Sequence, residues 1–229
     1  MAPVLGYWDI RGLAQALRDL LEYAKVEYED KKYGFGTGPE WTKDEWLADK
    51  PNLGLDFPNL PYYLDGDVKL TQSLAILKYL GRKHGLAPKD EKLQCRADVV
   101  EMQAFDVLLS VGRLISDPAY SDDKRRQFLV DQAEKLCQFE ALLVKDGPFV
   151  AGQNVTYVDF FLYEILQTVR VLGPSTFRKN FPTLEEYNER VAGLPGLREY
   201  LASPRFKEWA FASPFAQALG PQHDPPSDD

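Results

Sequence analysis

Leu60-Pro61-Tyr62-Tyr63-Leu64-Asp65-Gly66-Asp67-Val68-Lys69-Leu70-Thr71-Gln72-Ser73 is the stretch that decides the fold. Residues 60–64 and 68–70 read as short strands, and Asp65-Gly66 between them is a strong hairpin signal. Thr71 or Gln72 then starts a helix with Leu74, Ile76, Leu77 and Leu80 as its apolar positions, ending near Gly85. Upstream, residues 4–8 form an apolar, strand-like run. Leu13, Leu17, Leu20, Leu21 and Ala24 follow at helical spacing, and residues 26–33 are strand-like again. A glycine-rich loop at 34–39 leads to a short helix at 42–50 that carries Trp46. The order βαβ–α–ββα predicts an α/β unit over residues 1–85. It is too short for a doubly wound nucleotide-binding sheet, and no GxGxxG follows the first strand.

After Gly85 the pattern changes. Residues 86–90 read as a linker, and residues 91–219 as an all-α domain with helices near 91–116, 123–145, 157–172, 184–192 and 196–202. Thr156 and Asp159 have capping-box spacing. Asn154-Val155-Thr156 matches a glycosylation sequon, but no signal peptide is read at the start of the chain. Residues 220–229 are rich in Pro and Asp, and disorder is expected there.

Composition narrows the function. The 229 residues carry 27 Lys and Arg against 35 Asp and Glu, a net charge of −8. A pI near 4.9 argues against a nucleic-acid-coating protein, which needs a basic face. No apolar run approaches the ~20 residues of a membrane span; the apolar run at 158–163 is interrupted by Asp159 and followed by Glu164. Cys95 and Cys137 form no CxxC pair, which predicts buried thiols in a reducing compartment. His84 and His223 are the only histidines, so no zinc site is expected.

Four features carry chemistry. Leu60-Pro61 opens a strand, where proline is tolerated; a cis bond would turn the Leu60 backbone outward to pair with a bound peptide, and a trans bond would make it a plain edge. Gln72-Ser73 at a helix start either caps the helix or presents free N–H groups to an anion. Tyr7-Trp8 ends the first strand, where Tyr7 either packs in the core or donates a proton to a ligand. Trp46 and Lys50 lie four apart on one helix face, a pairing that suits a carboxylate but is also common on surfaces.

Together these pieces resemble a known family. Gly6-Tyr7-Trp8-Asp9-Ile10-Arg11-Gly12, Leu53-Gly54-Leu55-Asp56-Phe57-Pro58-Asn59-Leu60-Pro61-Tyr62, Asp65-Gly66 and Thr71-Gln72-Ser73 look like a cytosolic glutathione transferase of the mu class. The resemblance runs along nearly the whole chain, weakening after about residue 85. It implies a thioredoxin-like glutathione-binding domain followed by a helical domain that supplies an electrophile pocket. It implies a cytoplasmic homodimer with glutathione as co-substrate, small hydrophobic electrophiles as partners, and no metal or tightly bound cofactor. By position, Tyr7 matches the catalytic tyrosine whose hydroxyl meets the glutathione sulfur. Trp8, Lys43, Trp46 and Lys50 match residues around the peptide, the last two near its glycyl carboxylate. Asn59, Leu60 and Pro61 match the cysteinyl contacts, and Gln72 and Ser73 the γ-glutamyl contacts. Asp106 matches an acid that reaches the γ-glutamyl amine from the other subunit, and Phe57 the aromatic key between subunits.

The chain also departs from the family. Ser116 stands where a second tyrosine is usual at the electrophile pocket, and Lys43 where arginine is common. Phe105, Leu109, Ser116, Phe211 and Ser213 are the expected pocket residues. Two rival readings remain. A non-catalytic carrier of apolar ligands has no need of Tyr7. A thiol-redox enzyme of the same fold needs a low-pKa cysteine near residues 7–11, and none is there.

Overall fold

A computed structural model describes residues 2–227. The first part of the chain builds a mixed sheet of four strands in the order β2-β1-β3-β4. They are β1 (Val4–Trp8), β2 (Glu29–Tyr33), β3 (Tyr62–Asp65) and β4 (Val68–Thr71). β1 runs parallel to β2 and antiparallel to β3, with Val4 opposite Glu29 and Gly6 opposite Tyr62. The Asp65-Gly66 hairpin forms as expected, closing β3 on β4 with Gly66 at φ 60°.

Helix α1 (Gln15–Tyr23) crosses from β1 to β2, α2 (Asp44–Asp49) follows β2, and α3 (Ser73–Lys83) follows β4. Strand β2 starts three residues later than the apolar pattern suggests. Val26 is drawn into the end of α1 instead, its N–H donating to the Leu21 carbonyl at 3.0 Å behind Lys25 at φ 54°.

The remainder is helical: α4 (Glu91–Ser116), α5 (Asp122–Asp146), α6 (Tyr157–Val171), α7 (Pro174–Asn180), α8 (Pro182–Ala192) and α9 (Leu197–Leu201). Helix α7 is absent from the sequence reading, and α8 begins two residues early. Both open on proline, which reads as a turn signal yet fits the first helical position, where no N–H is needed. Leu86, in the expected linker, is buried; its N–H donates to Gly81 and its carbonyl accepts from Tyr157.

Helix α6 is the axis of the helical half. Residues 157–166 are all buried, and α6 packs on α1, α4 and α8. Its start carries the expected capping box. The Asp159 carboxylate accepts the Thr156 N–H at 2.7 Å, the Thr156 hydroxyl at 2.8 Å, the Val150 N–H at 2.8 Å and the Tyr187 hydroxyl at 2.9 Å.

The structure departs from expectation at the cysteines and at the start of the tail. Cys95 and Cys137 are exposed, not buried: each sits on the outward side of a long amphipathic helix whose other face is turned to the core. Residues 220–223 are held by hydrogen bonds, with the Gly220 N–H donating to His223 Nδ1 at 3.1 Å and Gln222 Nε2 to the Pro214 carbonyl at 2.8 Å. Of the tail expected to be disordered, residues 228–229 lie outside the described residues.

Asp159→Ala strands three buried donors, the Val150 and Thr156 N–H groups and the Thr156 hydroxyl, and leaves Tyr187 only the Asp159 carbonyl. It is expected to lower the unfolding free energy by about 2–4 kcal/mol, read as a fall in the urea midpoint at unchanged slope.

Candidate active site

Between the sheet and the helices lies a cavity of about 460 Å³. Tyr7 and Trp8, at the end of β1, form one wall. Leu108, Val111, Ile115 and Ser116 of α4 face them, and Phe211 and Ser213 of the C-terminal segment close a third side.

Tyr7 is 6% exposed. Its hydroxyl oxygen accepts the Leu13 N–H at 3.1 Å. Gly12, at φ 45°, allows that approach, because a Cβ there would lie 2.6 Å from the Tyr7 oxygen. Burial raises the Tyr7 pKa, only partly opposed by the Leu13 N–H and by the Arg18 charge. The hydroxyl therefore keeps its proton at neutral pH. Because its oxygen already accepts from Leu13, that proton is available to a ligand.

The loop after β1 is held by an ion pair that sequence reasoning missed. Arg11 donates from Nε to Glu164 Oε1 at 3.0 Å and from Nη2 to Oε2 at 2.6 Å, with both side chains about 5% exposed or less. The Arg11 guanidinium carbon lies 4.2 Å from the Phe211 ring centre. The Arg11 and Gly12 N–H groups donate to the Ala210 and Phe211 carbonyls at 2.9 and 3.2 Å. Burial pushes the Glu164 carboxyl upward and Arg11 pulls it back; the two-pronged geometry is that of the ionised pair. The available signal was Glu164 itself, an acid beyond the capping-box Asp159 in the mostly apolar first three turns of α6.

Trp8 stacks on Phe35 with ring centres 4.5 Å apart. Trp46 is 6% exposed and belongs to a small core with Tyr7, Tyr33, Leu60 and Tyr62. Lys50 is half-buried at the turn after α2. Lys43 is exposed, its ammonium 4.8 Å from the Phe215 ring centre. The Leu60–Pro61 bond is cis, and the β1–β3 ladder begins at Tyr62, so Leu60 lies outside it. The Leu60 N–H donates to Asn59 Oδ1 at 2.9 Å. Gln72, at φ 72°, stands at the start of α3 without a side-chain capping bond, and Ser73 is the first helical residue. Asp106 is exposed on α4, 3.9 Å from Lys135. Phe57 is 78% exposed.

Ser116, Phe211 and Ser213 line the cavity, whereas Phe105 and Leu109 do not. Leu109 points outward, 44% exposed; the cavity side of α4 runs through Leu108, Val111, Gly112 and Ile115, one residue out of phase with it. Phe105 packs, partly buried, against the helical core. Among the described residues no cluster of three or more His, Cys, Asp or Glu could hold a metal ion. No helix among them is long and apolar enough to cross a membrane.

Residues 3–82 match the family model "Glutathione S-transferase, N-terminal domain", and residues 105–204 match "Glutathione S-transferase, C-terminal domain". The chain belongs to the glutathione S-transferase family. It is 46% identical over 218 residues to a glutathione S-transferase of Tyrophagus putrescentiae, covering 95% of this chain and 97% of that one. It is 44% identical over 206 residues to glutathione S-transferase Mu 2 of Rattus norvegicus, covering 90% and 93%. A crystal structure of the glutathione S-transferase Blo t 8 superposes with a TM-score of 0.86 at 36% identity, covering 94% of this chain and 99% of that one. The mu-class resemblance drawn from the motifs agrees with these relatives.

Within this transferase, Glu164→Ala leaves the Arg11 charge buried and unpaired. It is expected to cost about 3–5 kcal/mol of stability in urea unfolding, while the apolar double replacement Arg11→Met/Glu164→Leu costs less than the single change.

Proposed function

We propose that this transferase conjugates glutathione to small apolar electrophiles, with the Tyr7 hydroxyl holding the glutathione sulfur as a thiolate. The observation that carries the reading is Tyr7 itself: buried at the cavity wall, kept neutral, and oriented so that its proton is free for a ligand. A free thiol with pKa about 8.5 is only a few per cent ionised at pH 7. A hydrogen bond to a charged acceptor contributes about 1.5–3 kcal/mol, enough to lower that pKa by one to two units. The thiol proton passes to solvent. With an aryl halide, the sulfur–carbon bond forms, the carbon–halogen bond breaks, and halide leaves with the bonding pair. Placing both reactants in one cavity supplies much of the remaining rate.

In this reading residues 1–85 bind glutathione, 86–90 link the domains, and 91–219 supply the electrophile pocket. Lys43, Trp46 and Lys50 attend the peptide, with Trp46 and Lys50 near its glycyl carboxylate. Asn59, Leu60 and Pro61 meet the cysteinyl backbone, and Gln72 with Ser73 meets the γ-glutamyl end. The uncapped start of α3 and the Leu60 backbone lying outside the ladder support those assignments. The active unit is a cytoplasmic homodimer in which Asp106 serves the partner's glutathione. The exposed Phe57 supports this, as does a stripe of Val99, Met102 and Leu109 that shares the Asp106 face of α4. No resident metal or cofactor is needed. Nothing in the comparisons favours the non-catalytic carrier.

Initial rates with chlorodinitrobenzene test the reading. Tyr7→Phe is expected to be about ten- to hundredfold slower near pH 7. Because the Tyr7 pKa is raised, the donor survives as pH rises. The wild-type rate should therefore climb with thiol ionisation and show no fall below about pH 9, and the mutant profile should shift upward by about one to two units. An equally active mutant would move the donor elsewhere.

Ser116 lines the cavity with a short hydroxyl where a tyrosine would reach further. Epoxides and enones, which need a proton donor, should turn over more slowly than aryl halides, and Ser116→Tyr should raise epoxide turnover selectively. Unchanged epoxide turnover in that variant would count against the idea.

A further inference from the structure

Helix α2 has only six residues, too few to hold itself together without tertiary ties. Yet it carries Trp46, and Lys50 follows directly at the turn that ends it. Its ties are few and specific. At its start, Glu45 accepts the Gly34 N–H at 2.9 Å. At its end, Asp49 Oδ2 accepts the Tyr33 hydroxyl at 3.0 Å and lies 3.0 Å from the Lys31 ammonium. The Tyr33 oxygen lies 2.9 Å from that of Tyr62. Tyr33 has one proton and it goes to the carboxylate, so Tyr62 donates to Tyr33. A relay thus runs from β3 (Tyr62) through β2 (Tyr33) to the end of α2 (Asp49). The Tyr62 ring lies across Gly6 of β1, where any Cβ would fall 2.1 Å from it, one residue before Tyr7. The Trp46 ring fills the angle of the relay, 5.5 Å from Tyr33 and 6.2 Å from Tyr62 between ring centres.

We propose that Asp49, held by Tyr33 and Tyr62, is a positioning residue that sets Trp46 and Lys50 for the glycyl carboxylate of glutathione. The proposal rests on the reading of Trp46 and Lys50 above. The geometry gives Asp49 no part in the cavity beside the Tyr7 hydroxyl: it is not among the residues that line it, and its partners are Tyr33 and Lys31. Lys31 and the Tyr33 hydroxyl hold the Asp49 carboxyl below the usual carboxylate range, so the relay keeps its charged end throughout the working pH. Its loss should therefore weaken capture of one end of the peptide and leave the chemistry intact.

The test compares glutathione with γ-glutamylcysteine, which lacks the glycyl residue, at saturating chlorodinitrobenzene. Asp49→Ala should raise KM for glutathione about tenfold, with kcat within about twofold and KM for γ-glutamylcysteine unchanged. Tyr33→Phe, which keeps the ring and removes the donor, should act in the same direction. Asp49→Asn, which keeps an acceptor, should recover part of the loss. Lys50→Ala is the reference for the glycyl end. If Lys50→Ala discriminates between the two thiols and the Asp49 and Tyr33 variants do not, the positioning role falls and the Lys50 reading stands. If Lys50→Ala affects both thiols alike, the glycyl reading falls and the proposal with it. A matched loss of kcat, or equal KM increases for both thiols, in Asp49→Asn and Tyr33→Phe would mark general loosening and overturn the proposal.

Discussion

The Arg11–Glu164 ion pair is the constraint on which the site depends. It joins the loop after β1 to the central helix α6 across the boundary between sheet and helices. Burying two charges is expensive, and an apolar contact of the same size would often stabilise as well. What an apolar contact would not supply is direction. The guanidinium fork fixes the Arg11 backbone, whose neighbours Gly12 and Leu13 are the residues that touch the Tyr7 hydroxyl. The same guanidinium carries Phe211 on its face, and the Phe211 ring is a wall of the cavity. One pair therefore registers the donor on one side and the pocket wall on the other, using segments more than 150 positions apart in the chain.

The two halves of the site are built differently, and the difference suits their tasks. Apart from Asp106 on α4, the expected glutathione contacts lie on the sheet domain, on short strands, helix starts and turns. These present backbone groups that the ladder does not use, together with polar side chains at fixed places. Opposite them stand a helix face and a C-terminal segment lined with Leu, Val, Ile and Phe. A constant peptide asks for directional partners. Varied electrophiles ask for apolar area and little else. The boundary between the halves is Tyr7, which belongs to the sheet and opens into the apolar cavity.

Much of this was legible in local sequence, and what was not has a common physical cause. Asp65-Gly66 marked the hairpin because only certain residues tolerate that turn, and the long helices declared themselves by period. The Leu60-Pro61 geometry was one of two readings until the structure made the bond cis. Proline hid α7 because one residue type serves both turns and helix starts. Leu109 was chosen for the pocket and Leu108 lines it, because a one-residue error in phase turns a side chain by about a quarter of a helical turn. Cys95 and Cys137 lie on outward faces although cysteine is usually buried. Glu164 stands out as an acid in a buried helix, but neither its pairing with Arg11 nor the Tyr62–Tyr33–Asp49 relay was legible. Each is a coincidence of distant residues in space, and no local pattern encodes the partner.

A more acidic hydroxyl is a stronger donor, so the raised pKa of Tyr7 looks at first like a handicap. The opposite holds here. A tyrosine with a lowered pKa would lose its proton in part at working pH, and a phenolate beside a thiolate would repel it. Burial prevents that loss, and the dry surroundings that raise the pKa also strengthen any hydrogen bond made to a charged sulfur. The Leu13 N–H then occupies the Tyr7 oxygen, so the hydroxyl serves as donor rather than acceptor toward the cavity. That Tyr7 stands at the cavity as a neutral donor thus follows from where β1 ends: far enough inside to be buried, and close to the backbone N–H that orients it.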